Sequence, residues 1–283
     1  MIRFHPRSFT GADMVAVAGL LGRVEVAPAD GTYERCLPDA PEVHEFAKVP
    51  SARVFEARYR SRSASVLVAS SFTATESSYM PFDPQTGEPA WHTDQSFRSP
   101  SPLASVMYCK CTPASGGDTL FASTMLAFAA LPFEKQEQLR GMHGVHDRQE
   151  AARMFSEWVG DASTFDATKV STPVVHPVVR RVEGAEALYL APHHMSHIAE
   201  VGRLEDREAR KSLIFELSAF ATRPEFGYAH RWAPGDMVIW DNRRTMHAAT
   251  ELADGPDGSD ARVMWRVTVA DEEGVAAAEH SRY

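Results

Sequence analysis

Short runs of β-branched and apolar residues, each about as long as one strand, recur along the chain and constrain its architecture more than any other feature. They fall at residues 64–71 (ASVLVASS), 103–109, 173–182, 187–191, 236–241 and 263–270, bounded by Pro, Gly, Ser and Asp in the manner of strands. Helical periodicity is confined to a few places. Residues 8–21 carry Thr10 as a candidate N-cap, Met14, Val17, Ala18 and Leu21 on one stripe and Gly22 as a stop. Residues 124–131 and 132–142 read as two short helices separated at Pro132, and 204–221 as a longer one with Ala209, Leu213, Leu217 and Phe220 aligned. Residues 33–62 read as irregular and charged. With no internal repeat and no linker, the 283 residues predict one mainly β domain, an antiparallel sandwich or jelly roll with flanking helices.

Composition narrows the function. A chain 44% hydrophobic and 24% charged can bury a large core. Its net charge of −9 argues against a nucleic-acid binder, which needs a basic stripe. No apolar run approaches the roughly 18 residues of a membrane span and no leader pattern opens the chain, so a cytoplasmic protein acting on a small molecule is expected, with a homo-oligomer possible. Cys36, Cys109 and Cys111 lack zinc or redox spacing and read as reduced residues on strands. Residues 73–90, rich in Pro, Gly, Ser and Thr, form a long loop that suits an active-site lid.

The most chemical segment is Trp91-His92-Thr93-Asp94. On an extended strand, residues two apart face one way, so His92 and Asp94 can bind one ion. One further histidine would complete the two-His-one-carboxylate face that leaves positions of Fe(II) open for a chelating cosubstrate and O2. His247, following the strand at 236–241, offers it, while His176, His193, His194, His197 and His230 compete. The same ligands could hold zinc in a hydrolase, or a metal in a non-catalytic jelly roll.

Arg262 and Arg266 lie four apart in RVMWRVTVA, so a strand projects both to one face with Met264 between them. Two inward cations are costly unless each meets an anion, either a ligand's acidic group or a protein carboxylate.

Five segments in order, WHTDQSF at 91–97, GGDTLFAS at 116–123, HPVVRRVEGAEALYL at 176–190, RWAPGDMVIWDNRRTMH at 231–247 and RVMWRVTVA at 262–270, resemble the taurine dioxygenase (TauD/TfdA) family of Fe(II)/2-oxoglutarate-dependent dioxygenases over roughly residues 60–270. The resemblance implies a double-stranded β-helix, a cupin-like jelly roll, with Fe(II), 2-oxoglutarate and O2 as cofactor and cosubstrates. It sets His92, Asp94 and His247 on the iron ligands. Thr119 and Arg262 fall on the residues for the far 2-oxoglutarate carboxylate, with Arg266 as the alternative if the longer loop at 254–260 shifts the register. Arg266 otherwise falls on the arginine for the acidic group of the prime substrate. Glu88, Ala152 and His194 stand where taurine-specific members carry an amide and an aromatic wall, which turns the expectation away from taurine. Glu88 would suit a substrate ammonium and His194 a hydrogen bond. The implied reaction is oxidation, foremost hydroxylation, of a C–H in a small anionic or zwitterionic molecule, releasing succinate and CO2; desaturation or cyclisation are the alternative outcomes. Asp94 stands where related halogenases leave room for chloride, so halogenation is not expected.

Overall fold

A computed structural model describes residues 2–3, 9–25, 36–37, 39–48, 91–113, 115–147, 149, 153, 172–201, 207–250 and 262–271. The expected strand at 64–71, the loops at 73–90 and 254–260, and residues Glu88 and Ala152 lie outside these described residues.

Along the chain come β1 (Ile2–Arg3), α1 (Gly11–Gly19), β2 (Cys36–Leu37), β3 (Ala40–Lys48), β4 (Pro102–Cys111), β5 (Thr119–Ser123), α2 (Thr124–Ala129) and α3 (Phe133–Arg140). There follow β6 (His143–His146), β7 (Val174–Pro177), β8 (Val179–Val182), β9 (Ala185–Leu188), β10 (Met195–Ile198) and α4 (Arg207–Ala221). A 3-10 turn (Pro224–Phe226), β11 (Gly227–His230), β12 (Asp236–Asp241), β13 (Thr245–Ala249) and β14 (Arg262–Ala270) complete it. The described part is mainly β with few helices, as expected. No helix among the described residues is long and apolar enough to cross a membrane.

The largest sheet has the order β1-β12-β4-β14-β3-β2, antiparallel at every pairing. Its central strands are covered on both faces, and alternation sorts their side chains. Ala104, Val106 and Tyr108 of β4 with Trp265, Val267 and Val269 of β14 form one core with Phe9, Met14 and Ala18 around α1. Ser105, Met107 and Cys109 of β4, and Arg262, Met264, Arg266 and Thr268 of β14, belong to the opposite face. The helix starts where expected: Thr10 Oγ1 accepts from Asp13 N–H (3.2 Å) while Asp13 Oδ2 accepts from Thr10 N–H (2.8 Å), a reciprocal capping box.

A second sheet, β11-β5-β13, and a third, β10-β6-β7, stand beside the hairpin β8-β9. Their core is helical on one side: Ala127 and Phe128 of α2, Leu139 of α3 and Leu213, Ile214 and Leu217 of α4 meet Leu188, Met195, Ile198 and Met246. Each large apolar side chain fully buried here contributes about 1.5–3 kcal/mol.

Strand expectations change at three places, the one at 187–191 lying earlier as β9, with residues 189–191 outside it. The run at 173–182 is two strands bent at Val178, a fully buried residue whose N–H bonds Met142 O at 2.9 Å. The region 33–62, read as irregular, contains β2 and β3. Buried polar residues mask the latter: Glu45 accepts from Trp265 Nε1 at 2.6 Å, and His44 is the cross-strand partner of Arg266. Cys36 lies on β2 and Cys109 and Cys111 on β4, all free.

Candidate metal centre

His92 and His247 are brought together by the backbone. His92 N–H donates to His247 O (2.9 Å) and His247 N–H to His92 O (2.8 Å), an isolated antiparallel bridge. Thr93 fastens the same segment sideways, its hydroxyl reaching Leu190 O (2.9 Å) and Thr245 O (3.3 Å). The motif therefore does not lie on an extended strand, as its spacing suggested. His92 is a single bridged residue and Asp94 opens a turn, in which Gln95 takes φ 46°, a left-handed conformation that reverses the chain.

Within this frame the ligating atoms of His92, Asp94 and His247 all lie within 4.8 Å of one another, and among the described residues no other three His, Cys, Asp or Glu converge so. Asp94 Oδ1 stands 3.8 Å from His92 Nε2 and 3.7 Å from His247 Nε2, and all three residues are buried. The donor set fits a divalent ion. Burial, reinforced by His92, pushes His247 down to about 3, which keeps its ring neutral and able to ligate. Burial would push Asp94 up, but Arg266, both histidines and the Ser105 hydroxyl outweigh it and hold the carboxylate ionised.

Support behind the carboxylate is continuous. Ser105 Oγ donates to Asp94 Oδ2 (2.7 Å), Asn242 Nδ2 donates to Ser105 Oγ (2.9 Å), and Trp240 Nε1 donates to Asn242 Oδ1 (2.9 Å). Trp240 also packs on the His247 ring, centroids 4.9 Å apart. This chain fixes one carboxylate oxygen and leaves the other turned to the histidines.

The arginines occupy different places. Arg262 Nη2 points to Thr119 Oγ1 (3.4 Å), which also accepts from Trp232 Nε1 (2.9 Å). Thr119 reaches this point because Gly116 and Gly117 precede it at φ 74° and 70°, a left-handed pair that other residues rarely adopt. Arg266 Nη1 instead bonds Asp94 Oδ1 at 2.9 Å, so in this structure its anionic partner is a protein carboxylate. His194 stands near the candidate cluster, its ring 6.0 Å from that of His92 and its Nδ1 3.4 Å from Ser96 Oγ.

The competing histidines take other partners. His176 Nε2 meets Ser96 O (2.9 Å) and its Nδ1 meets Arg180 (2.9 Å). His197 Nδ1 meets Ser196 Oγ (2.9 Å), and His230 lies 3.4 Å from Asp236. Sequence reasoning missed several residues of the site. His44, opposite Arg266 and pushed down to about 3 by burial, then by Arg266 and Arg98, hid in the stretch read as irregular. His146, whose Nδ1 meets Ser96 Oγ at 2.9 Å, gave no periodic signal. Asn242 and Trp232 lay inside a quoted segment, where their hydrogen bonds had no sequence signature.

A mainly β protein with a buried two-histidine, one-carboxylate cluster and a separate arginine–threonine pair on the neighbouring sheets is the class that fold and site define. The chain belongs to the taurine catabolism dioxygenase TauD, TfdA family, whose profile matches residues 37–268. It is 34% identical over 184 residues to the alpha-ketoglutarate-dependent 2,4-dichlorophenoxyacetate dioxygenase of Cupriavidus pinatubonensis, covering 64% of this chain and 60% of that protein. It is 33% identical over 189 residues to the alpha-ketoglutarate-dependent sulfate ester dioxygenase of Pseudomonas putida, covering 65% and 60%. The matched region thus spans 60% of the length of each of these two relatives. Among solved structures it is similar to a taurine dioxygenase from Burkholderia xenovorans (TM-score 0.61, 25% identity, 93% of this chain and 73% of that one). It is also similar to AAD-2 in complex with Mn(II) and N-oxalylglycine (TM-score 0.55, 30% identity, 64% and 62%).

Proposed function

We propose that the protein is an Fe(II)- and 2-oxoglutarate-dependent oxygenase that oxidises, by hydroxylation, a C–H of a small anionic or zwitterionic molecule. The observation that carries this reading is the Thr119–Arg262 pair, outside the His92, Asp94 and His247 cluster, in which a guanidinium donates to a threonine hydroxyl. A zinc hydrolase would use the same three ligands but has no need of that second site.

The residues divide the work. His92, Asp94 and His247 hold the ion on one face, with Ser105 and Asn242 keeping Asp94 in place. Trp232 and Arg262 donate to the Thr119 oxygen, which directs the threonine O–H outward as a donor. The hydroxyl and the Arg262 guanidinium together suit the far carboxylate of 2-oxoglutarate, orienting it by charge-assisted hydrogen bonds. Arg266, His194 and Glu88 are assigned to the prime substrate, Arg266 to its acidic group. When bound, the iron with O2 and 2-oxoglutarate supplies the oxidising chemistry, in which the cosubstrate leaves as succinate and CO2 and one oxygen atom reaches the substrate. The protein contributes orientation and exclusion of water. The same reading makes the sheets a double-stranded β-helix in one domain.

An anaerobic titration with Fe(II) and 2-oxoglutarate should produce a weak visible charge-transfer band, and aerobic screening of amino acids, sulfonates and phosphonates should find one that stimulates succinate release. Asp94→Ala should abolish that release. A well-folded protein that gives no band overturns the proposal.

A further inference from the structure

Asp94 uses its two oxygens unequally. Oδ2 is committed to Ser105 Oγ at 2.7 Å. Oδ1 is the oxygen nearest both histidine Nε2 atoms, at 3.8 and 3.7 Å, and it is also the oxygen that accepts from Arg266 Nη1 at 2.9 Å. A cation bound by the histidines and the Arg266 guanidinium therefore converge on one atom. Both side chains of the ion pair are largely buried, 11% and 4% exposed, so solvent ions screen their charges poorly.

From this geometry, and resting on the metal-centre reading above, we infer that occupancy of Arg266 by an anionic group tightens metal binding at His92, Asp94 and His247. With Arg266 on Asp94, a dication must share the carboxylate oxygen with a fixed positive charge. An anion that meets the guanidinium cancels that charge, whether or not the Arg266 side chain moves. The metal then gains the full carboxylate. Linkage makes the effect reciprocal, so the metal tightens the anion to the same extent. The substrate's acidic group thus helps to hold the ion as well as positioning the substrate.

Removing Arg266 should strengthen metal binding, although the residue belongs to the site. His44, the cross-strand neighbour of Arg266, is held neutral by burial and adds no second charge that would take over the role.

The test is a Mn(II) titration followed by the paramagnetic signal of free Mn(II), without 2-oxoglutarate, in sodium methanesulfonate against sodium chloride at equal ionic strength. Methanesulfonate offers the anion while chelating the metal negligibly. For the unaltered protein we expect Kd for Mn(II) to fall on the order of tenfold in methanesulfonate, within the roughly 5–150-fold range of ordinary couplings. Arg266→Gln should bind Mn(II) tighter than the unaltered protein in chloride and show no response to methanesulfonate. Arg262→Gln, which alters the cation near Thr119, should keep the response. Mn(II) binding that ignores methanesulfonate, or a response kept in Arg266→Gln or lost in Arg262→Gln, overturns the linkage and leaves the metal centre standing. A folded protein that binds no Mn(II) overturns the metal centre itself. If Arg266→Gln does not fold, the unaltered protein and Arg262→Gln decide the matter.

Discussion

The Ser105 hydroxyl donates to Asp94 Oδ2 at 2.7 Å while accepting from Asn242, with Ser105 and Asn242 wholly buried. The relationship joins β4 to the candidate metal motif. Ser105→Ala should weaken divalent-metal binding about 10–100-fold, the usual cost of losing such support. It should also lower stability by about 1–3 kcal/mol, because the Asn242 amide loses its acceptor. Metal titration and urea unfolding of the same variant read the two effects.

Asp94 and Arg266 should be coupled in stability as well as in binding. Asp94→Ala leaves a buried guanidinium without its carboxylate and should cost about 3–5 kcal/mol in the metal-free protein. Adding Arg266→Gln to that variant should recover part of the loss. A double-mutant cycle by denaturant unfolding measures the coupling, and additive losses would contradict it.

Arg262→Gln should raise KM for 2-oxoglutarate by roughly 10–100-fold, as expected for hydrogen bonds between charged groups. Thr119→Val should raise it less. Initial rates against cosubstrate concentration check both, and an unchanged KM in the arginine variant would move the carboxylate site elsewhere.

Acid should destabilise the fold through histidines that do no ligating. Burial, together with Arg180, pushes His176 down to about 3, and burial pushes His146 well below its ordinary value. Unfolded histidines take up protons near pH 6.5, whereas folded His176 does so only near 3. Stability is therefore lost as pH falls through that window. Melting temperature should drop between about pH 7 and 5, and His176→Gln should flatten the slope even if it lowers the plateau.

Legibility in the sequence followed the kind of signal each element carried. Thr10 with Asp13, and the alternation in β14, are local patterns, so α1 and the shared face of Arg262, Met264 and Arg266 could be read directly. β3 could not, because Glu45 and His44 occupy buried positions where apolar residues would have shown the alternation. Its polar residues answer Trp265 and Arg266 on another strand, a relation formed only in three dimensions. The candidate ligands were legible by type, but the choice of His247 over five other histidines rested on resemblance. Ser96 and Asp236, which engage His176 and His230, are distant or unremarkable in sequence. The expectation of an extended strand at His92 failed for the converse reason, since the spacing holds in the turn that Gln95 creates.

The reciprocal backbone bonds between His92 and His247 also bear on how the protein is made. The hydroxyl of Thr93 and its acceptor Thr245 are 152 residues apart, so the first two candidate ligands emerge from the ribosome long before the third. Premature termination before β13 would therefore leave His92 and Asp94 without the third candidate ligand and without the backbone bridge that holds His92 in place.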